Sequence, residues 1–175
     1  MTVPIGTILA YGGLVDGNAK GELAKQGWLV CDGEAMSRDD YTELYAVIGG
    51  SFGDGDNVKT FNLPDLRGRF LRGVDHGTGH DPDASSRGAS AERGNTGDKV
   101  GSAQDDEFKA HHHPLPQVVA DTGGRYGQPV GSGSSLGLTW PGFNGTPTPN
   151  SQDVGGHETR PKNIYVNWII KAKNV

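Results

Sequence analysis

Three consecutive histidines, His111, His112 and His113, lie inside the chain, so they are not a purification tag left at a terminus. In an extended segment, residues two apart point the same way, so His111 and His113 would share a face that His112 opposes. Two imidazoles are fewer than the three or four protein ligands of a typical metal site. From these residues alone, a metal site, a pH-sensitive patch and a solvated loop all stay open.

Other residues that could do chemistry have simpler structural explanations. Cys31 could pair with a histidine as a nucleophile, but it lies in the apolar run WLVC, where a buried strand cysteine would be inert. The carboxylates at 53–57 and 80–83 lack the calcium-loop spacing, and Asp-Gly and Asp-Pro favour turns. No acid pair lies on regular structure, as a glycosidase would need. We therefore expect that the protein is not an enzyme.

A cluster of arginines follows Asp65 in the run FNLPDLRGRFLRG, residues 61–73. Arg67, Arg69 and Arg72 could bind an anionic saccharide or a phosphate. Such clusters more often form local ion pairs, so we expect Asp65 and the arginines to stiffen a turn.

Three aromatic residues, Tyr126, Trp140 and Phe143, are isolated within a stretch rich in Gly, Ser, Thr, Pro and Asn. A ring in a polar loop can stack on a sugar face while its neighbours hydrogen-bond to hydroxyls. Alternatively, each ring fills a small core between chains. The receptor-binding interpretation places the contact within residues 121–156.

The composition excludes several classes of protein. There are 29 glycines, and hydrophobic residues make up only 33% of the chain, so one chain has little apolar surface to offset the entropy of its loops. Glycine has no three-residue period, which excludes collagen. The net charge of −5 with scattered Lys and Arg argues against a nucleic-acid partner. We therefore expect an oligomer.

The sequence has no run of 18 apolar residues and no charged segment ahead of its short N-terminal apolar run. We expect no membrane insertion, and synthesis in the cytoplasm without a signal peptide. The single cysteine excludes an intrachain disulfide.

Periodicity predicts an α+β chain that is mostly β. Residues 5–13 and 27–33 are typical of strands between glycines. One helix is predicted over 38–48, with Ser37 as its N-cap. The apolar stripe of that helix consists of Tyr41, Leu44, Tyr45 and Ile48.

The remaining chain is more irregular. Residues 75–106 are charged and small, and alone in solution they should be disordered. The chain closes with a strand predicted over 163–172, where apolar residues alternate. Ile164, Val166 and Trp168 would lie on one face of that strand.

Three stretches resemble the phage tail-collar family: PIGTILAYGG (4–13), the long run from GWLVCDG to NLPDLRGRFLRG (27–73), and HETRPKNIYVNWIIKA (157–172). The order and spacing within the long run are specific. The resemblance implies a collar-like domain over 1–74. It also implies a tip region over 75–175, an irregular, interwoven, glycine-rich β structure.

Members of this family are homotrimers that include short tail fibres, tail-tip adhesins and subunits of contractile machines. VGSAQDDEFKAHHHP (100–114) is similar to the segment in which tail fibres carry a His-x-His pair. In a trimer, His111 and His113 would supply six ligands to one structural ion, Fe²⁺ or Zn²⁺, with Ni²⁺ as a further candidate.

The resemblance implies a tail-fibre-like subunit of a phage or phage-derived contractile particle. As a homotrimer it would contact other tail or baseplate proteins and a bacterial or cell-surface polysaccharide. The alternative is a purely structural plug or accessory subunit that binds no receptor.

Overall fold

The computed structural model describes residues 3–107 and 161–175. Residues 3–105 and 161–175 belong to one compact unit. Its regular elements are two α-helices, α1 (Asn18–Lys25) and α2 (Thr42–Ile48), a 3₁₀ turn (Ala84–Ser86), and seven strands, β1 (Ile8–Tyr11), β2 (Trp28–Val30), β3 (Ala35–Ser37), β4 (Thr60–Asn62), β5 (Gly88–Ala89), β6 (Ser102–Ala103) and β7 (Asn167–Lys171).

The largest sheet has the order β1-β7-β2, with both pairings antiparallel. The central strand, β7, therefore comes from the far end of the described chain. Among the described residues, it is the sole strand partner of both β1 and β2. Ile169 and Ile170 are both buried although they point to opposite faces. Apolar side chains therefore pack against both faces of this sheet at its centre.

The main core lies between this sheet, helix α2 and the two-stranded sheet of β3 and β4. Leu44 of α2 and Phe61 of β4 are fully buried there, and the ring centroids of Phe61 and Tyr45 lie 5.2 Å apart. The predicted apolar stripe is confirmed, because all four of its residues belong to this core. The stripe holds α2 in place by burying one face of it.

Helix α2 begins later than the sequence predicted. Residues 38–41 form turns, and the N–H of Asp40 donates to Ser37 Oγ at 3.1 Å. Thr42 Oγ1 donates to the carbonyl of Asp39 at 2.9 Å. Local side-chain bonds of this kind compete with helical hydrogen bonds, so the capping residue closes a turn ahead of the helix.

The prediction of a single helix in the collar is wrong, because α1 is a second one among the described residues. Its sequence, NAKGELAK, buries only Leu23 and carries a glycine in its middle. It therefore lacks the apolar stripe that identifies a helix in a sequence.

The C-terminal strand is confirmed but is shorter than predicted, because β7 begins at Asn167 rather than at 163. Within the described residues, the backbone of 162–166 makes no hydrogen bond to a neighbouring strand. A strand needs such a partner, so the alternating residues ahead of β7 stay outside the sheet.

Residues 75–104, here called the strap, are ordered on the compact unit. Asp75 accepts hydrogen bonds through its carboxylate from the N–H groups of Gly79 and Asp81, and Asp98 accepts from those of Asp75 and Gly77. A segment with little apolar surface is thus held together by aspartates that bond to its own backbone.

The strap docks on the loop that follows α2. Asn95 N–H donates to the carbonyl of Ser51 at 3.0 Å, and the guanidinium of Arg93 donates to the carbonyl of Gly55 at 2.6 Å. Gly101, with φ of +91°, lies so close to the Ser51 carbonyl that a β-carbon would collide with it.

The strap and residues 161–175 belong to one unit with residues 3–74. The functional division after residue 74 stays a prediction.

Within the described residues, no helix has both the length and the apolar character needed to cross a membrane.

Candidate functional site

The residues predicted to bind a metal or a receptor lie outside the described residues. They are His111 and His113 for the metal, and Tyr126, Trp140 and Phe143 for the receptor. Both sites stay predictions.

Two other segments present large apolar side chains to solvent. The first exposed segment, residues 69–73, contains Phe70, which is 67% exposed, and Leu71. The second, residues 161–166, contains Ile164 and Tyr165, which are 88% and 90% exposed, and Val166. Contiguous apolar exposure of this kind marks an interaction surface, whereas isolated apolar residues on a surface do not.

Both exposed segments leave the core beside Cys31. The backbone N–H of Cys31 donates to the carbonyl of Trp168 at 2.9 Å, and its carbonyl accepts from the N–H of Leu66 at 3.1 Å. Leu66 is the last buried residue before the first segment, and β7 directly follows the second. The backbone N–H and carbonyl of Cys31 therefore anchor the chain close to where both exposed segments leave the core.

The backbone of these segments is also unsatisfied within the part of the chain that the structure describes. Residues 70–73 and 162–166 make no backbone hydrogen bond there. The second segment, KNIYV, combines β-branched and aromatic residues, which suit a pleated strand. Among the described residues this segment has no strand partner, and its residue types would suit pairing with another strand.

The arginine cluster is structural in part. Arg67 forms a two-bond ion pair with Asp65 at 2.8 and 2.7 Å, and this contact lowers the pKa of the Asp65 carboxyl. The prediction of a local ion pair is therefore confirmed for Arg67. It is wrong for Arg72, which reaches Asp81 of the strap at 3.3 Å because the chain has already left the turn. Arg69 makes no ion pair among the described residues.

Cys31 is buried, as the sequence predicted, although it directly follows β2 rather than lying within it. Its side chain is buried, and burial together with the negative charge of Asp32 raises the pKa of its thiol to about 12. The thiolate, which is the nucleophilic form, is therefore suppressed at neutral pH.

The aspartates at 53–57 form turns, as predicted. Asp56 Oδ1 accepts the N–H groups of Val58, Lys59 and Thr60, and these bonds lower the pKa of its carboxyl far below the usual range. Arg38 bonds Asp54 at 2.7 Å while it stacks on the ring of Tyr45. These carboxylates are occupied by structural contacts.

Comparison with known proteins identifies the family. Residues 6–71, which include β1 to β4 and both helices, match the model of the Phage Tail Collar Domain. The chain is 38% identical to protein RhiB of Rhizobium leguminosarum bv. viciae over 85% of its length. It is 32% identical over 83% to StfE of Escherichia coli (strain K12), a putative uncharacterized protein, and 30% identical over 98% to the short tail fiber protein gp12 of Enterobacteria phage T4.

The chain therefore belongs to the phage tail collar domain family. It spans 65% of the length of RhiB, 79% of StfE and 36% of gp12. The exposed segments lie at the C-terminal limit of the matched region and beyond it, at residues 69–73 and 161–166.

Proposed function

We propose that the protein is a tail-fibre-like subunit that works as a homotrimer in a phage tail or an extracellular phage-derived contractile particle. The observation that carries this proposal is the pair of exposed apolar segments that emerge together beside Cys31. Burying Phe70, Ile164 and Tyr165 against other copies would remove the largest apolar groups from water. The similarity to a short tail fiber protein supports the same interpretation.

A structural metal ion, shared by the three chains, is part of this proposal. Where three chains meet, His111 and His113 of each would hold one structural Fe²⁺ or Zn²⁺ ion, with Ni²⁺ as a further candidate. Imidazole nitrogen suits all three ions. The ion would tie together chains whose own hydrophobic content is low.

The trimer would bind a cell-surface glycan through residues 121–156, with Tyr126, Trp140 and Phe143 as stacking residues. Three identical weak sites on one particle add avidity. We propose no catalytic activity, since the thiol of Cys31 is buried and the carboxylates of Asp56 and Asp54 are engaged in a turn and an ion pair. The second candidate function is a structural plug of the tail tip, which the same apolar segments would support without a receptor.

Native mass spectrometry of the untagged protein tests the assembly. We expect a trimer that carries the mass of one metal ion and that dissociates after chelation. Phe70→Ser combined with Tyr165→Ser should shift the population to monomer, because both rings would be buried between copies. Leu14→Ser is the matched control, since Leu14 is 75% exposed but lies outside both segments.

Each result has a distinct meaning. A metal-free monomer from the wild-type chain would refute the homotrimer. A double variant that still forms trimers would show that the exposed segments are not the interface. A glycan array with the wild-type trimer then separates the two functions, since binding to no glycan favours the structural plug.

A further inference from the structure

The strap ends in a cluster built around Arg87, whose side chain is only 17% exposed. Its Nε donates to Ser102 Oγ at 2.9 Å, and its terminal nitrogens donate to the carbonyl of Ser102 at 3.2 Å and to Gln104 Oε1 at 2.6 Å. The same guanidinium lies 3.4 Å from the carboxylate of Asp81, which is 7% exposed. Arg87, which directly precedes β5, therefore joins Asp81 to the end of the strap at Ser102 and Gln104.

Few other contacts hold the end of the strap. Strands β5 and β6 pair over only two residues each, and Gln104 adds a bond to the carbonyl of Asp83 at 3.3 Å. Residues 105–107, which follow at once, are exposed. The contacts of Arg87 are thus the last strong ones before the chain leaves the compact unit.

We propose that Arg87 is a positioning residue that fixes the point and direction in which the chain leaves the compact unit after Gln104. A guanidinium is a rigid planar fork with five N–H donors, so it can hold several acceptors in one fixed arrangement. A lysine ammonium is a point charge on a flexible stem and would hold Asp81 without also fixing Ser102 and Gln104.

The consequence for assembly rests on the proposed function. His111 follows Gln104 by seven residues, so a fixed exit limits where the predicted ligands of three chains can lie. Neither the collar match, which ends at residue 71, nor any sequence motif includes Arg87.

A distance measurement on the full chain tests this inference. Cysteines are introduced as Glu22→Cys on α1 and Asp105→Cys beyond the strap, and both receive spin labels. Cys31 is buried with a thiol pKa raised to about 12, so it is left unlabelled. Labelled chains are diluted with unlabelled ones, so that pulsed electron paramagnetic resonance reports distances within one chain.

We expect a narrow distance distribution in the Arg87 background, at least a twofold broader one with Arg87→Ala, and an intermediate width with Arg87→Lys. Arg67→Ala is the matched control, because it removes an arginine with an exposed ion pair outside the strap. The thermal melt of the compact unit should stay close to that of the parent, which separates positioning from general unfolding.

Two outcomes would overturn the inference: a distribution that is already broad with Arg87 present, or one that stays narrow after Arg87→Ala. The same parent sample is measured by native mass spectrometry. A monomer with a narrow, Arg87-dependent distribution would refute the proposed trimer and still support the positioning role.

Discussion

Two regions of the compact unit are ordered by different interactions: the core around β7 and α2, and the strap. Around β7 and α2, fully buried apolar side chains such as Leu44, Phe61 and Ile170 fill the space between a sheet and a helix. In the strap, aspartates and Arg87 bond to backbone groups and to each other, and no apolar side chain is buried. Both kinds of order therefore occur in one compact unit.

The difference shows how a chain with few hydrophobic residues can still be ordered over most of its described length. The apolar core resists the loss of any single hydrogen bond, since burial is spread over many contacts. The strap depends on a few charged groups, each of which satisfies several donors or acceptors. The strap should therefore be sensitive to pH and to single substitutions that leave the core intact.

The largest effect should come from emptying the core. Leu44 has 0% exposure, so Leu44→Ala should lower the free energy of unfolding by about 2–5 kcal/mol through lost burial and a cavity. Urea unfolding followed by tryptophan fluorescence measures the loss. Leu14→Ala is the matched control, and a change of less than about 0.5 kcal/mol is expected because Leu14 is 75% exposed. Equal losses in the two variants would contradict the assignment of the core.

Cys31 reports on whether the core opens. Because burial raises the pKa of its thiol from 9.0 to about 12, the thiolate fraction at pH 8 should fall on the order of a thousandfold relative to an exposed thiol. We expect a disulfide reagent to modify Cys31 only slowly in the native protein and rapidly in urea. Rapid native labelling would mean that the anchor of both exposed segments is itself accessible.

The smallest effect should be local to the strap. Hydrogen bonds from the N–H groups of Gly79 and Asp81 lower the pKa of Asp75 from 3.8 to about 2. A depressed carboxyl pKa stabilises the folded strap above pH 3.8, and this contribution is lost as the pH falls from there through about 2. Backbone amide NMR should show Gly79 and Asp81 shifting with a midpoint near pH 2.

Two observations check that this titration belongs to Asp75 alone. Asp75→Asn should abolish the transition, since an amide has no proton to gain in this range. The amide of Ile170 in the core should show no change over the same range. A midpoint near 4 for Gly79 would mean that the carboxylate does not hold the turn.

Sequence patterns predicted the parts of the fold that depend on apolar burial. Tyr41, Leu44 and Ile48 identified α2 because their spacing matches the helical period. Helix α1 was missed because it buries only Leu23 and therefore has no such period. The extent of β7 was overestimated, since alternation in a sequence does not reveal where a partner strand stops.

The order of the strap could not be predicted in this way. Its structure depends on which backbone groups Asp75, Asp98 and Arg87 reach, and those contacts have no sequence period. A sequence also does not show whether Phe70 and Tyr165 face solvent, because exposure depends on what packs around each ring. The assignment of the metal and receptor residues stays a prediction, because they lie outside the described residues.

The position of β7 in the sheet has a consequence for how the protein is made. Strands β1 and β2 leave the ribosome early, yet their shared partner is the last described element to be synthesised. Pairing over so long a sequence separation is slow to form. The sheet therefore closes only on chains translated through Lys171, so a chain cut short by premature termination keeps two unpaired strands and is open to proteolysis. The largest sheet of the compact unit thus depends on the synthesis of β7, whatever else the chain has already folded.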